Sequence, residues 1–158
     1  MLDGEVPYLI ASGNHDGNIS AEDMLFQHYF GEKRFENYSW YSGGYYNMSF
    51  NSYSLREIKG FKLGFISLGW MSPHYPLTVD WANEVVENNS EYEFIVNIHT
   101  FADNSSDCIN DNPYRGTIMW ENFVKQHENI FMVTSGHSLG ERLCVKEGIE
   151  KNTIYAIL

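Results

Sequence analysis

The stretch FIVNIH, residues 94–99, decides how this chain folds. Apolar and β-branched residues dominate it, which is typical of a buried β-strand, and it ends on His99. Two other apolar stretches have the same layout: residues 130–134 lead to His137, and residues 6–11 lead to a second cluster of polar side chains. We therefore predict several buried strands, each followed at its carboxyl end by polar residues.

Helical patterns alternate with these strands. Ser20 is a suitable cap for a helix through about Phe30, and Thr78 for a second helix. A third helix carries Met119 and Phe123 on one face. Further strands are predicted around residues 45–50, 61–68, 143–145 and 154–158. The alternation indicates an α/β fold with a layered sheet flanked by helices, in which ligands bind at the carboxyl ends of the strands.

Three polar clusters occupy those strand ends: Asn14-His15-Asp16, His99 and His137-Ser138. Neighbouring strands of one sheet end side by side, so we expect these side chains to converge. A single histidine at a strand end is more often a structural hydrogen-bonding residue than a ligand. A histidine after each of three strands favours one shared site.

The same residues carry a resemblance to a known family. Calcineurin-like metallophosphoesterases have, in order, Asp-x-His, Gly-Asp-x-x-Asp/Asn, Gly-Asn-His-Asp/Glu, a lone His after a buried strand, and Gly-His-x-His. This chain is similar in the third motif, GNHD at 13–16, in the lone His99, and in half of the fifth, GHSL at 136–139. The resemblance covers essentially the whole chain. It implies a partial phosphoesterase domain over residues 1–158, an α/β sandwich that is incomplete at its N-terminus.

The resemblance also implies a chemistry, that of a metal-dependent phosphoric ester hydrolase acting on a phosphoester substrate. In the family's site two divalent ions, Mn, Fe or Zn, lie roughly 3.5–4 Å apart, hold a phosphate oxygen and activate a water. Asn14, His99 and His137 would bind one of these ions through an amide oxygen and two ring nitrogens. His15 would donate a proton to the leaving alkoxide, and Asp16 would orient its ring.

Two family motifs are absent from the sequence, since neither Asp-x-His nor Gly-Asp occurs. The family has both upstream of GNHD, and only 12 residues precede Gly13 here. We therefore expect the chain to lack an N-terminal portion, and a C-terminal one as well because it stops within a predicted strand. Leu139 stands where the family has a second histidine ligand. At most one incomplete metal site is expected, and with it little or no activity.

Two alternatives stay open at this point. Residues 136–140 fit G-x-S-x-G, the nucleophile elbow of a serine esterase, with Ser138 as nucleophile. That interpretation leaves Asn14 and His99 unexplained. Leu139 and the missing motifs instead favour a degenerate, non-catalytic phosphoesterase-like binding module. In either phosphoesterase interpretation, loops 69–78 and 100–115 would set selectivity, and His74 in the first of them could reach the substrate.

Composition excludes some partners. Apolar residues make up 43% of the chain, which is typical of a folded domain, and the formal charge of −11 disfavours nucleic acid as a general partner. No apolar run is long enough to cross a membrane. Cys108 and Cys144 fit neither a zinc-ligand spacing nor a disulfide framework, so we expect them to be buried or incidental, with one disulfide possible in a secreted protein. Localisation therefore stays unassigned, with a lean towards a secreted or cell-surface bacterial protein.

Overall fold

A computed structural model describes residues 5–16, 21–46, 50–70, 72–74, 76–112 and 115–158. The helices are α1 (Ala21–Phe30), α2 (Glu32–Phe35), α3 (Pro76–Glu87) and α4 (Gly116–Asn122). The strands are β1 (Gly43–Tyr46), β2 (Phe50–Ile58), β3 (Phe61–Leu68), β4 (Glu93–Ile98), β5 (Ile130–Thr134), β6 (Leu143–Glu147) and β7 (Thr153–Ile157). The described residues contain no helix long and apolar enough to cross a membrane.

The seven strands form one mixed sheet in the order β1-β2-β3-β4-β5-β7-β6. The four central strands β3, β4, β5 and β7 are parallel, and antiparallel strands close both edges. This arrangement confirms the predicted α/β class. It also brings the carboxyl ends of β4 and β5 next to each other, because the two strands are adjacent and parallel.

One face of the sheet is covered by helices α3 and α4. Ile66, Val96, Val133 and Ala156 form a row across β3, β4, β5 and β7 and are fully buried. Helices α3 and α4 contribute Val79, Ala82, Val86 and Met119 to the same core, and Phe123 joins it directly after α4. Their spacing along α3 and α4 places the apolar residues on one side of each helix, which is why these segments pack as amphipathic helices.

The opposite face of the sheet is apolar and partly open. Its row of side chains runs from Phe65 through Ile95 and Met132 to Tyr155 and Val145. Tyr155 is 40% exposed and Val145 is 63% exposed. A cavity of about 590 Å³ is lined by this face, by residues 7–9 and by Trp40.

The predicted strand over residues 6–11 is wrong, since no strand occurs within the described residues 5–16. Val6 is 52% exposed. Tyr8, Leu9 and Ile10 instead pack on a small aromatic cluster around Phe35 and Trp40. The apolar run therefore gains its burial from aromatic rings and not from pairing with a strand.

Two predicted helix starts also have outcomes in the structure. The helix ending at Phe30 is confirmed as α1, whereas its proposed cap, Ser20, lies outside the described residues. Thr78 is not a cap, because α3 begins two residues earlier at Pro76 and Thr78 is buried within its first turn. Proline is well suited to a first helical position, where its missing N–H is no loss.

The two cysteines are buried, as expected, and they form the disulfide that the sequence left only as a possibility. Cys108 and Cys144 are joined across a sequence separation of 36 residues. The bond ties the loop that follows β4 to the edge strand β6. Sequence spacing could not predict the pair because the two cysteines become neighbours only through the sheet order.

Candidate metal centre

Three sequence-predicted residues meet at the carboxyl edge of the sheet. His99 follows β4 directly, and His137 lies three residues beyond the end of β5. The Gly136 N–H donates to the His99 carbonyl at 3.1 Å, which joins the two strand ends. Asn14 reaches the same place from the loop that precedes α1.

The potential donor atoms of these residues lie close together. Asn14 Oδ1 is 2.8 Å from His99 Nε2 and 3.2 Å from His137 Nδ1, and the two ring nitrogens are 3.2 Å apart. Bonds of about 2.0–2.1 Å to a common cation, at angles from octahedral to tetrahedral, would separate such donors by about 2.8–3.4 Å. The three atoms therefore have the spacing of one face of a coordination shell. Their roles as ligands stay a prediction.

The chemistry of the donor set also fits a divalent transition metal. Neutral imidazole is a frequent ligand of divalent transition metals, and an amide oxygen is a harder donor than an imidazole nitrogen. Within the described ranges no group of three His, Cys, Asp or Glu side chains is arranged to hold a metal ion, and the third potential donor here is an amide. The group would thus offer three neutral donors to an ion and bring no negative charge.

The backbone holds Asn14 against the two histidines. The Trp70 N–H donates to the Ser12 carbonyl at 2.9 Å, which anchors the loop before Asn14 to the end of β3. Asp16 closes the turn, since its carboxylate accepts from the Gly13 N–H at 2.7 Å. A Cβ on Gly13 would lie 3.0 Å from His99 Cε1, so glycine permits the close approach of the ring.

The His137 loop is held in an unusual conformation. His137 has φ of +68°, a left-handed value that is uncommon for a residue with a Cβ. Ser135 fixes the loop beside it, because its hydroxyl accepts from the Ala102 N–H and donates to the Ile157 carbonyl, both at 3.1 Å. Strained backbone of this kind persists where the surrounding contacts impose it, often at functional sites.

The surroundings favour neutral imidazoles at both strand ends. Burial lowers the pKa of His99, and the charges of His137, Arg115 and His15 lower it further, against the opposing effect of Asp16. Burial lowers the pKa of His137 as well, followed by Arg115 and His15. Unprotonated rings are the form that binds a metal. These effects also show that His15 and Asp16 lie near the site, with both side chains exposed.

Sequence reasoning missed two residues that border the site, Trp70 and Arg115. The Trp70 ring centre lies 5.3 Å from that of His99 and 5.2 Å from that of His137. The Arg115 guanidinium lies over the Trp70 ring at 4.1 Å. Both residues belong to the loops 69–78 and 100–115, and Arg115 is the only basic residue of the second loop. That isolated charge was the signal available in the sequence.

His74 lies on the same side of the site. It is exposed in the short 3₁₀ turn Ser72–His74. Burial and the charge of Arg115 lower its pKa. The electrostatic influence of Arg115 shows that the two loops approach each other here. Contact of His74 with a substrate stays a prediction.

The interpretation of Ser138 as an esterase nucleophile lacks its structural context. A nucleophile elbow is a sharp turn between a strand and a helix. All of residues 115–158 are described, and after Ser138 the chain runs through bends straight into β6 with no helix between. Leu139 is 92% exposed, and an alkyl side chain cannot bind a metal.

Comparisons with known proteins add little. Neither a family model nor a curated protein matches the sequence. Among solved structures, the NAD nucleotidase NadN of Haemophilus influenzae is similar over 66% of this chain, with a TM-score of 0.42 and 11% sequence identity. The match covers 24% of that protein, so this chain corresponds to about a quarter of its length. A likeness at this level supports no inference about function.

Proposed function

We propose that this chain carries part of the active site of a metal-dependent phosphoric ester hydrolase of the calcineurin-like kind. The observation that supports the proposal most is the convergence of Asn14 Oδ1, His99 Nε2 and His137 Nδ1 within 3.2 Å of one another. These three residues are far apart in the sequence, yet their side chains are in contact. Those residues would hold one divalent ion, which when bound would polarise a phosphate oxygen and acidify a water.

His15 is the proton donor in this proposal. It is exposed, and its charge contributes to lowering the pKa of His99 and of His137. A protonated imidazole in this position can give its proton to the oxygen of a departing alcohol. The Asp16 carboxylate follows it directly and is engaged with the Gly13 N–H, so it fixes the turn that carries His15.

The described residues supply donors for one ion of the family's pair. The Asp-x-His and Gly-Asp motifs, which supply most ligands of the other ion in the family, do not occur in the sequence. Leu139 replaces a histidine that the family contributes to the first site. We therefore expect this chain by itself to show little or no turnover. Any residual turnover should depend on metal.

The test is prolonged hydrolysis of p-nitrophenyl phosphate by the purified chain, with added Mn²⁺ and with a chelator. We expect trace hydrolysis that Mn²⁺ raises and that His99→Ala and His15→Ala both remove. His28→Ala, a change on α1, is the matched histidine control and should have no effect. Hydrolysis that is indifferent to the chelator, or equal in His99→Ala, contradicts the proposal. Normal turnover contradicts the expectation that the chain is catalytically incomplete.

A second candidate is a degenerate binding module, and the exposed Leu139 favours it. Such a module would keep the cation and phosphate binding of the site without the chemistry. The hydrolysis assay distinguishes the binding module from the hydrolase. A binding module would bind Mn²⁺ but would hydrolyse no more substrate than His99→Ala does. Labelling of Ser138 by a fluorophosphonate would support the esterase alternative against both.

We further propose that the protein functions in an oxidising compartment. The Cys108–Cys144 disulfide supports this, since such bonds persist outside the reducing cytosol. The described residues contain no free cysteine that could exchange with the bond. Secretion or surface exposure is the location that this chemistry favours.

A further inference from the structure

We propose that Arg115 is an anion-binding residue that holds the phosphoryl oxygens of the substrate, an inference that rests on the phosphoester chemistry proposed above. The residue lies in loop 100–115, immediately before α4. One of its terminal nitrogens lies 3.5 Å from His137 Nε2, the ring nitrogen on the side away from Asn14 and His99. The site would thus combine a cation centre with a fixed guanidinium beside it.

The position of Arg115 is set by an aromatic platform. Its guanidinium carbon lies 4.1 Å from the centre of the Trp70 ring, and Trp70 is only 8% exposed. The same ring contacts both histidines, with centre distances of 5.3 Å to His99 and 5.2 Å to His137. Stacking on a buried indole orients the planar guanidinium and restricts its motion. Arg115 is therefore held at a defined distance from the histidine rings.

The hydrogen-bonding capacity of Arg115 is largely unused. Its Nε is buried and has no hydrogen-bond partner among the described residues. One terminal nitrogen lies 3.5 Å from His137 Nε2, which is a long and weak contact. A guanidinium has five N–H donors in a rigid fork that matches two oxygens of a phosphate. A buried donor without a partner is costly, and a phosphate at the site would satisfy it.

Electrostatics points to the same class of ligand. The Arg115 guanidinium places a positive charge 3.5 Å from the His137 ring and over the Trp70 ring, at the border of the candidate site. The chain as a whole carries a formal charge of −11, so Arg115 is a local positive group in an otherwise acidic protein. A tetrahedral oxyanion is the ligand that gains most from a fork-shaped cation next to a divalent metal.

The test is calorimetric titration of the full chain with inorganic phosphate, with and without Mn²⁺. We expect Arg115→Met to weaken phosphate binding by roughly tenfold to a hundredfold, the loss typical of a charge-assisted hydrogen bond. Arg115→Lys should fall between wild type and Arg115→Met, because it keeps the charge and loses the fork. Arg56→Met is the matched control, since Arg56 lines the cavity on the sheet's opposite face. Mn²⁺ affinity should stay unchanged in Arg56→Met.

Two results would overturn the inference: wild type that binds no phosphate even with Mn²⁺, or Arg115→Met that binds phosphate as wild type does. Thermal unfolding and circular dichroism establish that each variant is folded. Phosphate binding that depends on Arg115 in a chain that binds no Mn²⁺ would support the inference and count against the proposed metal chemistry. Mn²⁺ binding together with a phosphate affinity that does not depend on Arg115 would support the proposed metal chemistry and count against the inference.

Discussion

At the level of single residues, the site depends on how closely the backbone at Gly13 approaches the His99 ring. The hydrogen atoms of Gly13 leave room for an imidazole that a methyl group would press at 3.0 Å. That ring in turn places Nε2 2.8 Å from the Asn14 amide oxygen. In this motif Gly13 thus leaves room for the His99 ring, and Asn14 contacts that ring through its amide oxygen.

Replacement of Gly13 by alanine tests this contact. The added Cβ forces the His99 ring to shift by a few tenths of an ångström, and we expect Mn²⁺ affinity to fall roughly tenfold, as is typical when groups around a metal ligand are changed. Calorimetric titration with Mn²⁺ measures the change. Gly136→Ala is the matched control, because a Cβ at Gly136 meets no atom within 4 Å and its φ is not positive. Equal affinities in the two variants would count against the contact.

At the level of elements, the order of the sheet explains why the sequence was informative. The adjacent parallel strands β4 and β5 end together, so the histidines that follow them meet. Both strands could be predicted from short apolar runs, and β5 has the predicted bounds. Residues 6–11 have the same composition without strand pairing, because their burial comes from the Phe35 and Trp40 cluster. Local pattern does not distinguish these two sources of burial.

A hydrogen bond between His127, in the turn after α4, and Asn83 on α3 makes the stability of the fold depend on pH. His127 is 9% exposed, and its Nε2 lies 2.6 Å from Asn83 Oδ1 on α3. Burial lowers the pKa of His127, against the opposing effect of Glu87. The unfolded chain therefore takes up this proton more readily as the pH falls below about 6.5, and the free energy of unfolding decreases.

We expect His127→Gln to reduce the loss of stability between pH 7 and pH 5. Glutamine can still donate a hydrogen bond to Asn83, but it does not titrate. Urea unfolding at a series of pH values provides the measurement. His99 and His137 contribute in the same direction in both proteins, so the comparison isolates His127. An unchanged slope of stability against pH would show that His127 does not cause the effect.

The disulfide joins the loop after β4 to the edge strand β6. Lys146 on β6 also donates to the Asp107 carboxylate of that loop at 2.7 Å. Removal of a bond that spans 36 residues should lower the free energy of unfolding by about 2–5 kcal/mol, chiefly because the unfolded chain gains freedom. Urea unfolding of the variant with Cys108→Ser and Cys144→Ser measures this.

In the presence of a reducing agent, the wild type should have the same free energy of unfolding as that variant. The reducing agent should not change the free energy of unfolding of the variant itself. A loss well below 1 kcal/mol would indicate that contacts such as Lys146–Asp107 already hold the loop.

At the level of the whole molecule, one face of the sheet holds the core and one edge holds the site. The fold class and the convergence of Asn14, His99 and His137 could be predicted from the chain, because apolar periodicity and polar strand ends are local features. The roles of these residues, and those of His15 and Asp16, stay predictions. Trp70, Arg115 and the disulfide could not be predicted, because their neighbours come from loops that meet only in three dimensions. Trp70 and Arg115, which border the candidate site, belong to none of the motifs.

The most direct measurement is the stoichiometry and affinity of Mn²⁺ binding to the purified chain by calorimetry near neutral pH. One ion per chain is expected, with at least tenfold weaker binding in each of Asn14→Ala, His99→Ala and His137→Ala, and unchanged binding in His28→Ala. Affinity should also decline as the pH is lowered and the two rings become protonated. A wild-type chain that binds no ion, or a His99→Ala variant that binds one as tightly, would contradict a shared cation site.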